Sequence, residues 1–402
     1  MYSSIITLIA LAGFASVSAA PHGLHTSSCS EKLHYSTSAS SASFPTAVNS
    51  NGNKFAYPLS NGFSDTVQDI LEIEQAAGGT AINATASPLF APFGVADTTL
   101  VVLRLIAFNE IFEVAFFTEV LTNITNNVPG YDIPAGFDRD YILATFKAIQ
   151  AQEELHALNA NGGLAVFDTK NVTGPIQPCE YNFPVSTFDE AINLANTCTD
   201  VVLGTLQDAA TALGADGDIG LIRGIASVIG QEGQQDGFFR FLQDRTPSAQ
   251  PFLTASAGPF AFSALNQNFV VPGSCPQDIN SFGLPPVFGS LTVLNTPIGS
   301  GDQILTFQAV QSPSYKVDSF SDLEVAYISG QNLPVVEPVT NVKSIGNGIW
   351  EFDAFFPQET DVMHGLTIAA LIPKATTFNS TSTVDDVANV ALFGPGLIEI
   401  LQ

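Results

Sequence analysis

The chain has 402 residues, 46% of them hydrophobic, and its 38 Asp and Glu against 12 Lys and Arg leave a formal net charge of −26. So much apolar content excludes a disordered polyelectrolyte and allows a sizeable core, with a length that suggests two domains. So large a negative charge repels phosphate backbones and anionic headgroups, so neither nucleic acid nor a membrane is an expected partner.

Residues 1–20 carry no charged side chain, and an apolar stretch from Ile5 to Ala15 precedes Ser18-Ala19-Ala20. That pattern predicts a secretory signal peptide, since the stretch is too short to span a bilayer. The nearest later approach to a membrane span, Val101 to Phe117, is interrupted by Arg104, Glu110 and Glu113. Residues 21–60 are rich in Ser, Thr and Asn and read as an irregular arm, with His22, His25 and His34 in it. Sequons at Asn83, Asn123, Asn171 and Asn379 agree with export and predict a glycoprotein. The four cysteines, Cys29, Cys179, Cys198 and Cys275, allow three pairings. Cys179 with Cys275 is the favoured pair because both fall outside the expected helices, whereas Cys198 falls inside one and reads as an inert buried thiol.

A short helix is expected from Asp65 to Ala77, stopped by Gly78-Gly79. Four long helices follow: Asp97 to Asn127 with Asp97 as N-cap, Asp138 to Asn161 closed by Gly162-Gly163, Ser186 to Leu213 closed by Gly214, and Asp218 to Asp244. Residues 251–285 read as an extended, Pro- and aromatic-rich linker. Beyond them, Ser290–Leu294, Gln303–Val310, Leu323–Ile328, Ile349–Phe355 and Leu366–Leu371 read as short strands separated by Gly-containing turns. The expected fold class is α+β multidomain: a four-helix bundle over 61–250, then an antiparallel β-sandwich-like domain over 286–402.

The apolar stripes of three helices share one irregularity. They read Leu103, Ile106, Glu110, Glu113, Phe117, Val120, Ile124; then Ile142, Phe146, Ile149, Glu153, His156, Ala160; then Ile225, Val228, Glu232, Gln235, Phe239, Leu242. Each is apolar at both ends and polar in the middle, on the face that should point into the core. Buried carboxylates require a cation, strong donors or a raised pKa. The nearest basic side chains in sequence, Arg104 and Lys147, lie off these stripes, which leaves a metal ion as the economical partner. Glu153 and His156 are three apart and reach one side of a helix turn. A Glu-x-x-His spacing of this kind, with Glu from neighbouring helices, builds metal sites in bundle cores, and its donors suit iron or manganese. The metal candidates are therefore Glu110, Glu153, His156 and Glu232, with Glu113 and Gln235 secondary. Asp200 reads as packing or solvated, and Phe116-Phe117 and Phe238-Phe239 as core filling. No Gly-x-Ser-x-Gly elbow, phosphate-binding Gly-Lys-Ser/Thr loop or Cys-x-x-Cys zinc pattern is present.

The phrases FNEIFEVAFF (108–117), IQAQEELHALNANGG (149–163) and IGQEGQQDGFFRFLQD (229–244) resemble the ferritin-like domain of fungal stress-response and late sexual development proteins, relatives of desiccation-related proteins. The resemblance covers roughly residues 60–275. It implies a ferritin-like bundle, with Glu110 as the first-helix ligand, Glu153 and His156 as the second-helix pair and Glu232 as the fourth-helix ligand. Two positions depart from that pattern: Gln235 stands where a second His is expected, and Thr199 where a third-helix Glu is expected. The leading expectation is a non-catalytic or weakly redox-active secreted protein of the fungal surface, with a degenerate metal site that holds iron or manganese weakly or holds no metal. The alternatives are a di-iron or di-manganese oxidase or peroxide-scavenging enzyme, and a cell-wall-binding protein using the β-rich part, where Trp350 reads first as a core residue and second as a stacking platform.

Overall fold

A computed structural model describes residues 54–55, 67–80, 94–295, 298–380 and 382–400. The expected signal peptide, nearly all of the arm, Cys29 and the Asn83 sequon lie outside the described residues. The elements run β1 (Lys54–Phe55), α1 (Val67–Ala77), α2 (Asp97–Thr125), α3 (Arg139–Phe167), β2 (Tyr181–Asn182), α4 (Phe188–Asp216), α5 (Ile219–Leu242) and α6 (Gly258–Asn268). Then come β3 (Ser290–Val293), β4 (Gln303–Val310), β5 (Leu323–Ser329), β6 (Val335–Pro338), β7 (Thr340–Gly346), β8 (Ile349–Phe356), β9 (Gly365–Pro373), α7 (Val384–Val390) and β10 (Phe393–Ile400).

Helix α2 packs on α3 and α4, α4 on α5, and α1 on α3. Because α2 is central, nearly every side chain from Leu103 to Ile124 is buried. Its first helical residue is Asp97 and its N-cap is Ala96, which has no capping side chain. The expected cap function comes from α5's start instead: Asp218 Oδ2 accepts from Ala96 N at 3.0 Å and Thr99 Oγ1 at 2.6 Å. Asp97 is left to pair with Lys170 at 3.1 Å.

Two helices outrun their expected glycine stops. Helix α3 begins as read, with Asp138 accepting from Tyr141 N at 2.9 Å. It then continues through Gly162-Gly163 to Phe167. A helical glycine costs about 1 kcal/mol, and burial of Leu164 and Phe167 outweighs it. Helix α4 likewise passes Gly214 and ends at Gly217, whose φ of 83° is the left-handed conformation that closes helices. Gly204, within α4, has a different reason to be glycine: a Cβ there would lie 2.4 Å from Thr254 O.

The stretch expected to be an extended linker contains α6, which is a correction to the sequence reading. Its short apolar run faces two ways: Phe262 and Leu265 join the helical core, while Phe260 and Ala261 join the cluster beneath the sheet. Tertiary burial on both sides forms a helix from an 11-residue segment that periodicity alone does not identify. The described residues belong to one compact unit.

Strands β1 and β2 pair with each other, and the other eight form two four-stranded antiparallel sheets, ordered β10-β9-β5-β6 and β3-β4-β8-β7. Inward side chains of both, including Phe307, Phe352, Tyr327 and Leu371, make one cluster. The opposite face of β5 and β9, through Ala326, Ile328, Ile368 and Ala370, packs on α6, α7 and Val201 of α4. Burial on both faces explains why β9 is apolar from Gly365 to Ile372 apart from Thr367, instead of alternating. Trp350 is half-buried and stacks on Phe320 at 4.9 Å, packed against the edge of this core. The protein is thus a mixed fold of helices and antiparallel sheet.

Cys179 and Cys275 form the favoured disulfide, tying the segment after α3 to that after α6, while Cys198 is free. Asn171 and Asn379 are exposed. Asn123 is a correction: it is only 5% exposed within α2, so the folded chain offers no room for a glycan there. Among the described residues, no helix is long and apolar enough to cross a membrane.

Candidate metal centre

Three helices bring the polar middles of their stripes together. Glu110 and Glu113 come from α2, Glu153 and His156 from α3, and Glu232 and Gln235 from α5. The four carboxylates are at most 3% exposed. Glu110, Glu153, His156 and Glu232 each offer one ligand atom, and these atoms all lie within 4.8 Å of one another. All three carboxylates converge on one ring atom: His156 Nδ1 lies 2.8 Å from Glu153 Oε2, 3.4 Å from Glu110 Oε2 and 3.8 Å from Glu232 Oε1. Gln235 Nε2 donates to Glu153 Oε1 at 2.6 Å and to Gln152 Oε1 at 3.1 Å, which orients Glu153 from behind.

The oxygens left over show what the cluster lacks. Glu110 Oε2, Glu113 Oε2 and both carboxylate oxygens of Glu232 are buried without a hydrogen-bond partner. The ion pairs that these carboxylates make among the described residues are with His156 alone. Arg104 is committed elsewhere, to Asp168 at 3.3 Å and Phe282 O at 3.4 Å, and Lys147 is exposed.

Burial raises Glu110 to about 7, against the lowering pull of His156. Burial first, then the neighbouring carboxylates, push Glu113 and Glu232 well above 4.5. His156 is opposed by burial but held well above 6.5 by the charges of Glu153 and Glu110. Without a cation the cluster therefore retains protons near neutral pH. A metal ion would replace them, satisfying the orphaned oxygens and the charge together. Ligand atoms on one ion sit at most about 4.4 Å apart when each bond is about 2.2 Å, so a contraction of a few tenths of an ångström closes this set. The buried Glu/His group can hold a metal ion.

Helix α4 contributes no carboxylate to the group. Thr199 is buried on its stripe, as read. Cys198 beside it is only partly buried, and burial followed by the Glu113 charge raises its thiol pKa, so it stays protonated.

Asp200 was expected to be solvated or simply packed, but it belongs to a second buried polar network. Asn196 Nδ2 donates to Asp200 Oδ2 at 3.2 Å and to Asp236 Oδ1 at 2.7 Å, and Arg245 Nη1 donates to Asn196 Oδ1 at 3.0 Å. Arg240, 1% exposed, lies 3.5 Å from Glu399 of β10, and its Nε donates to Thr246 O at 2.7 Å. Burial raises Asp236 and Glu399 to about 8 and Asp200 to about 6. This network joins the helices to the sheet. The one sequence sign of it is Asp236 with Arg240, an i, i+4 pair.

Comparison with known protein families and with curated proteins gave no match for this chain.

Proposed function

We propose that the chain is a secreted, ferritin-like glycoprotein whose helical half holds iron or manganese between Glu110, Glu153, His156 and Glu232. The observation that carries this reading is the convergence of three buried carboxylates on one imidazole nitrogen, with four carboxylate oxygens of the cluster buried without a hydrogen-bond partner. Oxygen donors plus one imidazole favour iron or manganese over thiolate-seeking metals. Export is supported by the leader-like residues 1–20, the exposed Asn171 and Asn379 and the Cys179–Cys275 disulfide. The association with fungal stress response or sexual development, and a place in the fungal wall, rest on the three quoted phrases.

The residues divide the work. Glu110, Glu153 and Glu232 supply negative charge, His156 supplies a neutral nitrogen once its proton leaves, and Gln235 fixes the Glu153 rotamer. Bound iron or manganese would supply one-electron redox chemistry. The single histidine and the missing α4 carboxylate favour a weakly redox-active or non-catalytic centre. Glu113, one turn from Glu110, supports the second reading of a two-metal oxidase or peroxide scavenger.

Stripped protein titrated with Mn²⁺, or anaerobically with Fe²⁺, tests this by calorimetry and elemental analysis. Wild type should take up one ion per chain and His156→Ala with Glu232→Gln should lose it. Two ions per chain with peroxide turnover favours the enzyme reading, and wild-type uptake no better than the double variant refutes both.

A further inference from the structure

Two cavities adjoin at the histidine of the candidate metal centre. The inner one, about 70 Å³, is a partly open cleft lined from α2, α3, α4 and α5, with Leu103, Ile106, Leu206, Leu221, Ile225 and Val228 among its walls. Its polar lining is Glu110, His156 and Asn159. The outer one is wider, about 300 Å³, and lies between the Gly78-Gly79 end of α1 and the α3 and α5 surfaces. His156, Asn159, Gly224 and Val228 line both.

None of the aliphatic walls is needed to hold a metal ion, and a void among apolar side chains forfeits dispersion contacts. The polar end has its own unmet requirement: Asn159 Oδ1 is buried with no donor. That oxygen stands one helix turn from His156, on a residue that lines both cavities. An aliphatic wall with one unsatisfied acceptor specifies an aliphatic molecule carrying one hydrogen-bond donor.

We propose that the inner cavity binds a small neutral alkanol, its chain along the aliphatic wall and its hydroxyl donating to Asn159 Oδ1 beside the metal centre. A water-sized site needs about 10–15 Å³ in this measure, so the cavity takes about five to seven non-hydrogen atoms, the size of 1-pentanol. The choice of a neutral head rests on the metal reading: a divalent ion and the carboxylates of Glu110, Glu153 and Glu232 largely cancel, so the centre offers no strong counter-charge to offset the desolvation of an alkylammonium or an alkylcarboxylate.

Saturation-transfer NMR on Mn²⁺-free and Zn²⁺-loaded full-length protein tests this with 1-pentanol, its isomer 1-methoxybutane, pentylamine and pentanoate. Zinc is diamagnetic and keeps the spectra sharp, and metal content is measured on the same samples. The expected result is binding of 1-pentanol in both forms, with 1-methoxybutane at least tenfold weaker because it has no O–H. Asn159→Ala should shrink that gap to threefold or less, and Val228→Phe, at a partly exposed rim, should abolish binding in a protein whose far-UV circular dichroism is unchanged. No 1-pentanol binding in either form, equal binding of the ether, or preference of loaded protein for pentylamine overturns the proposal. If zinc fails to bind while 1-pentanol binds the metal-free chain, the metal reading falls and the alkanol site stands.

Discussion

Replacing Glu110 by glutamine should stabilise the metal-free protein at high pH while weakening its hold on metal. Glu110 is 1% exposed and its folded pKa is about 7 against an ordinary 4.5, with burial the leading cause. A carboxyl whose folded pKa is raised contributes its full stability below the unfolded value and loses it as pH climbs through the folded one. The loss therefore develops between pH 4.5 and 7 and is complete above that window. At about 1.4 kcal/mol per pKa unit, the rise from 4.5 to about 7 corresponds to at most about 3.5 kcal/mol by pH 8. Loss of the 3.4 Å contact to His156 subtracts from the benefit, so a net gain of about 1–3 kcal/mol is expected. Urea unfolding of stripped wild type and Glu110→Gln at pH 4.5 and pH 8 measures it. The variant should equal wild type at the lower pH, exceed it at the higher, and bind Mn²⁺ at least tenfold more weakly. A variant equally stable or less stable at pH 8, with metal affinity intact, would refute the claim that these carboxylates are held together for a cation.

Metal should raise the melting temperature more at pH 7.5 than at pH 5.5, and binding should release protons detectable with an indicator dye in weak buffer, because Glu113, Glu232 and His156 all carry raised pKa values. Arg240→Met leaves Asp200, Asp236 and Glu399 with Arg245 as their one remaining cation and should cost about 3–5 kcal/mol in urea unfolding at pH 7. Gly204→Ala pushes a methyl against Thr254 O and should cost about 1–3 kcal/mol, seen as a lower melting temperature. Reducing the Cys179–Cys275 bridge, which spans 96 residues, should cost about 2–5 kcal/mol, measured by unfolding with and without reductant.

Helix interiors and the centre's composition were legible in the sequence because both depend on a 3.6-residue period. Once Ile106, Phe117, Ile149 and Phe239 mark the inward stripes, Glu110, Glu153, His156 and Glu232 must follow them into the core, where burial penalises their charged forms. The same period turned Asp200 away from the centre, but nothing local disclosed that Arg240, Arg245 and Glu399 wait on that side, since Glu399 arrives from a strand almost two hundred residues later. Chain ends of helices were decided by packing: Leu164 and Phe167 carry α3 past two glycines, and Asp218 caps α2 from another helix. Segment α6 has too few turns to announce itself and becomes helical because core presses on both its faces. Periodicity acts through neighbours along the chain, whereas caps, charge networks and the cavity beside His156 arise from residues that only folding makes neighbours.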